Sequence, residues 1–348
     1  MLKNIKRKNF LISSGLALIF IALVLTVIVV INANEDDIHD VTNNTTNNTA
    51  ISQTNAVSDD LTVTQTQTSS QIHTMTLDSL SDSNTNLNKT TFAPPPVKAG
   101  DETLEVHFID VGEADAILVM TDGYNMLIDA GESETENDLA KYLQNLGIDT
   151  IHYLIATHPD RDHIGGMEHI IKNFKIREFY MNDTYKDSKL YDNLISAVRR
   201  KGLVINVPRP GIENDKFDLG QAHCQILAPL AKYSSSESNN SSIVIRMTFG
   251  EKVFLFAADA EKLATEDIIE RYEDLKADVL KVPHHGRSSV TKDFITSVTP
   301  KYSVITCLKE NIKNSTIKKL QNVGSEIYVT GVDGNIVCVT DGYTIQFY

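Results

Sequence analysis

Thr157-His158-Pro159-Asp160-Arg161-Asp162-His163-Ile164-Gly165-Gly166 places two imidazoles and two carboxylates within six residues. With His, Asp and Gly at average usage, that order arises by chance at roughly one position in 10⁷–10⁸. Ahead of it, Ile151–Ala156 is an apolar run that reads as a strand. After it, Met167, Ile170, Ile171 and Phe174 make the stripe of an amphipathic helix. The turn thus joins a buried strand to a helix, and its glycines let the chain enter that helix closely. Four ligand-type side chains on one short turn can point at one spot, and such a charge cluster is costly unless a cation neutralises it. A solvated His/Asp loop is the bland alternative, and the rarity of the pattern weighs against it.

Two later clusters fit the same site. Phe254-Leu-Phe-Ala-Ala-Asp259-Ala-Glu261 ends a strongly apolar strand on a carboxylate, where an unpaired charge is unfavourable. Leu280-Lys-Val-Pro-His284-His285-Gly286 ends another on two histidines. Either alone reads equally well as a cap or a surface turn. Three strand ends that each deliver His or Asp call for a metal.

The surrounding chain alternates strands and helices. Leu104–Val111 alternates like a half-buried strand, and Ala116–Met120 and Met126–Ile128 flank the hairpin signal Asp122-Gly123. Leu139, Tyr142, Leu143 and Leu146 predict a helix closed by Gly147. The vocabulary then repeats: strands at Ile243–Phe249 and Val253–Ala257, a helix carrying Ala264, Ile268, Tyr272 and Leu275, and strands at Val279–Val282, Tyr302–Cys307, Glu326–Thr330, Ile336–Thr340 and Tyr343–Phe347. Hairpins followed by strand–helix alternation, twice over, suit an α/β chain of two mixed sheets packed face to face with helices on both outer sides.

These strings resemble the metallo-β-lactamase superfamily, and within it the β-lactamase-like domain of ComEC-type competence proteins and their stand-alone relatives. The resemblance is carried by His107-Phe-Ile-Asp-Val-Gly-Glu-Ala-Asp-Ala-Ile-Leu118, Asn125-Met-Leu-Ile-Asp-Ala-Gly131, the His158–Gly166 turn, Ser238-Asn-Asn-Ser-Ser-Ile-Val-Ile245, Ala258-Asp-Ala-Glu261 and Val282-Pro-His-His-Gly286. It implies a four-layer αββα sandwich over 101–348, with two divalent ions, Mn²⁺ or Zn²⁺, at one edge between the sheets. By position, His158 and Asp160 would bind one ion, Asp162 and His163 the second, and Asp259 would bridge them. His285 is preferred over His284 to complete the second site, with His284 retained as a candidate, and Asp129 would fix the ligand loop. Many superfamily members carry His where this chain has Asp160, and a further His where it has Asn239-Asn240. More oxygen and less nitrogen shifts preference toward Mn²⁺ or another hard ion. Ala257-Ala258 and Glu113-Ala114 also depart from the usual Thr-Gly or Gly and Gln-Gly.

The implied mechanism is two ions about 3.5–4 Å apart that share a hydroxide, with Asp162 and Asp259 as the catalytic carboxylates and Asp162 also orienting the nucleophile. Arg161, Lys281 and Arg287 lie beside ligands and Asn240 lies in the departed string. They are candidate substrate contacts, with ordinary surface roles as the alternative. Cys224, Cys307 and Cys338 each sit in apolar runs and read as buried thiols.

The rest of the 348 residues is not globular in pattern. Met1–Asn34 carries Lys3, Lys6, Arg7 and Lys8 without an acid, then more than 20 uncharged residues, enough to span a bilayer. The positive flank places the N-terminus in the cytoplasm and the remainder outside the cell. A cleaved signal peptide, releasing a secreted protein, is the alternative. Residues 35–100 form a linker expected to be disordered: from Val41 to Phe92, 33 of 52 residues are Ser, Thr, Asn or Gln.

Charge divides as +4, −6 and −12 over 1–34, 35–100 and 101–348, summing to the net −14 of the chain. A broadly basic nucleic-acid coat is excluded, so DNA as a substrate or partner is implied by the resemblance and not by composition. The expectation is a membrane-anchored extracellular metallohydrolase, a phosphodiesterase or nuclease. Hydrolysis of a small ester, lactone or choline phosphoester on the same site, or a non-catalytic metal-stabilised surface module, are the competing readings.

Overall fold

The computed structural model describes residues 103–287 and 289–348. The anchor and linker expected over 1–34 and 35–100 lie outside them. Among the described residues no helix is long and apolar enough to cross a membrane.

Among the described residues fifteen strands build two sheets. First along the described residues come β1 (Leu104–Phe108), β2 (Ile117–Thr121), β3 (Tyr124–Ile128), β4 (Thr150–Ala156), β5 (Lys175–Met181) and β6 (Ile205–Asn206). Next come β7 (Lys216–Leu219), β8 (Ala222–Ala228), β9 (Val244–Phe249), β10 (Lys252–Phe256), β11 (Val279–Lys281), β12 (Tyr302–Leu308) and β13 (Glu326–Val329). Finally β14 (Ile336–Thr340) and β15 (Ile345–Phe347) return to the first sheet, whose order is β15-β14-β1-β2-β3-β4-β5-β6. The second sheet runs β13-β12-β11-β10-β9-β8-β7.

Alternation within strands sets the layers. Val106, Phe108, Ile117, Val119, Met126 and Ile128 meet Ile226, Ile245, Met247, Phe254, Phe256 and Val304 in the core between the sheets. Their sequence neighbours turn the other way. Leu118 and Leu127 pack under helices α1 (Glu136–Asn145), α3 (Met167–Asn173) and α4 (Lys189–Lys201), with the short α2 (Arg161–Ile164) between. Leu255 and Leu280 pack under α5 (Lys262–Arg271), α6 (Lys292–Val298) and α7 (Asn314–Asn322). Every central strand is therefore buried on both faces, which explains its nearly unbroken apolar runs. This is the αββα sandwich. At about 1.5–3 kcal/mol per fully buried Leu, Ile, Val or Phe, no isolated sheet or helix layer needs stability of its own.

Asp122 and Gly123 both have positive φ, as a tight two-residue hairpin requires. The α5 helix ends at Arg271, a turn earlier than its apolar stripe suggests; Tyr272 and Leu275 pack from the loop beyond it. All three cysteines are buried free thiols.

Parallel pairing decides where the chemistry sits. β3 and β4 are parallel neighbours, as are β10, β11 and β12, so their C-terminal ends open on the same side of each sheet. Asp129, the His158–His163 turn, Asp259 and His284-His285 each follow one of these ends, the usual place for a site in a sheet of parallel strands.

Candidate metal centre

The turn after β4 is held by close packing. A side chain on Gly165 would bring its Cβ 2.5 Å from the Ser133 nitrogen, and one on Gly166 would strike the Ala130 carbonyl. Glycine at both positions lets α2 press on the loop after β3, where Asp129 waits in a left-handed conformation. Asp129 is fully buried and accepts three hydrogen bonds: from the Thr157 amide at 2.9 Å, the Thr157 hydroxyl at 2.7 Å and His163 Nδ1 at 2.8 Å. One carboxylate thereby sets both the backbone of the turn and the ring of its last histidine.

The other rings are fixed in the same way. His285 Nδ1 donates to the Thr306 carbonyl at 2.8 Å. His158 Nδ1 lies 3.2 Å from the Thr157 hydroxyl, which is already committed as a donor to Asp129 and so accepts here. With each Nδ1 occupied, each Nε2 is left to face Asp259: His163 at 3.3 Å, His285 at 3.4 Å and His158 at 4.0 Å. His163, His285 and His158 Nε2 and Asp259 Oδ1 are all buried without a hydrogen-bond partner. Orphaned polar atoms are rare in a native interior and four at one point call for a ligand; imidazole nitrogens and a carboxylate oxygen are divalent-metal donors.

Asp162, His163, Asp259 and His285 form a four-donor group, with ligand atoms all within 4.8 Å of one another. His158 joins through Asp259. Asp160 does not: its carboxylate accepts from Lys186 Nζ at 2.7 Å. His284 stands at the rim, its Nε2 3.8 Å from Asp259. The residues present fit a metal centre, with Asp162, His163, Asp259 and His285 able to hold one ion.

The charges are mutually dependent. Burial opposes ionisation of Asp259, but the His285 and His163 charges hold it well below the usual carboxylate range. Burial likewise opposes protonation of His285, and Asp259 and Asp115 overcome it, raising that ring to about 9. His158 goes the other way: burial and the neighbouring His163 charge depress it to about 3.

Of the expected substrate contacts, Lys281 is placed against that role. It is wholly buried, its ammonium paired with Asp115 and donating to the Ala258 carbonyl at 3.0 Å, with Asp259 3.8 Å away. A lysine on the last residue of β11 points into the layer between loops and not to solvent. Asn240 is also buried, its Oδ1 accepting from the Ala264 amide in α5. Arg161 and Arg287 are exposed, each 2.7 Å from a glutamate, Glu132 and Glu113 respectively.

Asp115 was not singled out from sequence. It is 1% exposed, pairs with Lys281, accepts from the Thr306 hydroxyl at 2.6 Å and approaches His285 and His163. The available signal was a carboxylate in Ala114-Asp115-Ala116-Ile117, an apolar stretch where a lone charge is unfavourable.

Beside the centre opens a cavity of about 510 Å³, walled by Asp160, Lys186, the Ser235–Asn240 turn, Glu261 and Lys262.

A sandwich of this layering with His and Asp donors gathered at the strand ends is the framework of a metal-dependent hydrolase, and the chain belongs to the metallo-β-lactamase superfamily, which residues 109–306 match. Among curated proteins it is 30% identical over 226 residues to ComE operon protein 3 of Bacillus subtilis, covering 60% of this chain and 29% of that one. It is 29% identical over 244 residues to Recombination protein 2 of Haemophilus influenzae, covering 67% and 28%. The ComEC-type resemblance read from the motifs is thus borne out, and the chain spans less than a third of the length of either relative. Among solved structures, CmlA, a diiron β-hydroxylase from Streptomyces venezuelae, aligns with a TM-score of 0.42 at 15% identity, over 68% of this chain and 53% of that one.

Proposed function

We propose that the chain is a membrane-anchored, extracellular phosphodiesterase whose substrate is DNA, working through two divalent ions, Mn²⁺ or Zn²⁺. The observation that carries the hydrolase reading is the meeting of three unpaired imidazole nitrogens on Asp259, with a polar cavity walled by the adjacent Asp160 and Glu261. The DNA reading rests on the kinship with ComEC-type proteins, and the anchor on Met1–Asn34.

Ions held there would supply a hydroxide at neutral pH and neutralise charge on the attacked group. The chain's own residues do the rest. Asp162, the most open carboxylate of the tight cluster with 26% of its side chain exposed, accepts a hydrogen bond from the attacking water and orients it. Asp129 and the Thr306 carbonyl keep His163 and His285 in one tautomer. Lys186 and Lys262 on the cavity wall hold the phosphate, and the exposed Arg161 and Arg287 add positive charge beside the ligands.

The net charge of −12 over 101–348 repels a polyanion at range, so affinity rests on these few cations and its salt dependence is shallow. The same charge favours one second reading, hydrolysis of a small phosphoester, ester or lactone. Full-length protein, stripped of metal and reloaded with Mn²⁺ or Zn²⁺, is to be assayed on linear, circular and single-stranded DNA beside a bis-aryl phosphate. Cleavage of DNA supports the proposal. Turnover of the aryl phosphate alone selects the small-substrate reading, and metal binding without turnover of any ester selects a non-catalytic module. Fractionation of intact cells, with protease added outside, tests the anchor and its orientation.

A further inference from the structure

The chain lacks the imidazole that many superfamily members supply from the position of Asn239-Asn240, so the ion expected at His158 and Asp160 is short of a nitrogen donor. We infer that His284 supplies it from the opposite wall, so that the His284-His285 pair serves both ions, one ring each. This rests on the two-ion reading above.

Four observations converge on His284. Its Nδ1 is hydrogen-bonded to Ser289 Oγ at 3.1 Å, with Glu261 Oε1 2.8 Å from the same nitrogen, and a ring whose Nδ1 is so engaged leaves Nε2 as the donor atom. That Nε2 lies 3.8 Å from Asp259 Oδ2, the oxygen that also faces His158 Nε2 at 4.0 Å. Donors sharing one ion at about 2.1 Å each are about 3.4 Å apart, so these spacings need close by only a few tenths of an ångström. The third observation is positional: Asn239 Nδ2 is 3.4 Å from His284 Nε2, so the side chain at the position of the missing histidine and the ring that replaces it meet at one place. The fourth is the backbone. His284 and His285 both adopt left-handed conformations, φ 47° and 51°, which β-carbon-bearing residues avoid. Two such residues in succession send His285 inward to the tight cluster and His284 to its other side, with ring centroids 6.2 Å apart. A turn needed only to present His285 has no use for the second imidazole.

The test uses the full-length chain, metal-stripped, then titrated with Mn²⁺ and with Co²⁺. Bound ions per chain are counted by elemental analysis and Co²⁺ coordination is read from its visible absorption. Wild type takes up two ions. His284→Asn, chosen because Asn tolerates the left-handed backbone, keeps one ion with unchanged affinity and binds the other about 10–100-fold more weakly. The Co²⁺ bands of that second ion are lost with it. Glu261→Gln weakens the same ion alone. Adding Asn239→His to His284→Asn restores two-ion uptake by returning an imidazole to the same place.

Two ions bound by His284→Asn with wild-type affinity and spectrum overturn the inference while leaving the two-ion reading intact. A wild-type chain that binds fewer than two ions overturns both. Loss in His284→Asn that Asn239→His does not repair, accompanied by a lower melting temperature of the metal-free protein, marks a folding effect and also overturns it.

Discussion

The two ends of the ligand turn, four residues apart in the chain, are built to different standards. At the Asp162-His163 end every donor is positioned before any ion arrives: Asp129 holds His163, Thr306 holds His285, and the four ligand atoms already lie within 4.8 Å of one another. At the His158-Asp160 end His158 is held only through hydroxyls, Asp160 is drawn away by Lys186, and His284 waits at the rim. The difference lies in the partners: His158 and His163 are both fully buried, and Asp160 and Asp162 are about equally open. At the first end a buried carboxylate and a backbone carbonyl fix the rings; at the second, beside the cavity, hydroxyls and a competing ammonium are the partners. The first ion should therefore bind tightly to a preformed site, and the second should assemble its own.

The most severe way to break the comparison is to remove what the ends share. Asp259→Ala is expected to abolish uptake of both ions and lower hydrolysis by about 10³-fold or more, roughly 4 kcal/mol at 1.36 kcal/mol per decade. Metal analysis with a bis-aryl phosphate assay checks this; full activity in the variant would show the ligand set is wrong.

Lys281→Met strikes the floor under the first end. It leaves Asp115 buried beside Asp259 without its cation, and breaking a buried pair by removing one partner costs about 3–5 kcal/mol. Urea unfolding of metal-free protein should show that loss, and adding Asp115→Asn should recover part of it. A change under about 0.5 kcal/mol, as for an ordinary surface site, means that the lysine escapes to water.

Asp129→Asn acts mainly on the first end and reaches His158 only through the Thr157 hydroxyl. It weakens the hydrogen bond to His163 while His284 and Asp160 are untouched, so the first ion should bind about 10–100-fold more weakly. Calorimetric Mn²⁺ titration should show the tight phase shifting toward the weak one; equal weakening of both would mean that the sites are one unit.

The turn, the bridging Asp259 and the two-histidine cluster were legible because each joins a strongly apolar strand to residues that cannot be buried unpaired. The central strands were legible for the same reason. Residues 175–228 were not: Lys175-Ile-Arg-Glu-Phe-Tyr-Met181 is a strand near the sheet edge, so Arg177 and Glu178 are exposed and the apolar run is broken. Nor could spacing tell that Lys281 faces inward, since Lys on a strand end usually snorkels to water. Only its pairing with Asp115, 166 positions earlier in sequence, makes burial tolerable.

Proton linkage distinguishes the ends by sign. In metal-free protein His285 is raised to about 9, so its contribution is complete below the unfolded value near 6.5 and disappears as pH rises through 9. His158 is lowered to about 3, so its contribution is complete above 6.5 and disappears as pH falls toward 3. Melting temperature of the metal-free chain should therefore decline from pH 7 to 9.5. The Mn²⁺-loaded chain, whose rings are held neutral as ligands, should not follow; parallel declines would place His285 outside the metal site.

The smallest expected effect is the most diagnostic of the looser end. Lys186 lowers the donor strength of Asp160, because an ammonium 2.7 Å from one carboxylate oxygen draws on negative charge that a coordinating cation would otherwise use. The pair is partly exposed, with 37% of the lysine side chain open to solvent, so it is worth no more than about 1 kcal/mol. Lys186→Met should accordingly tighten the second ion by about 2–5-fold at that energy, leave the first unchanged, and weaken substrate binding at the cavity. If the second ion binds more weakly in Lys186→Met, the lysine orients Asp160 toward the ion instead of withholding it, and that end of the turn is as preformed as the other.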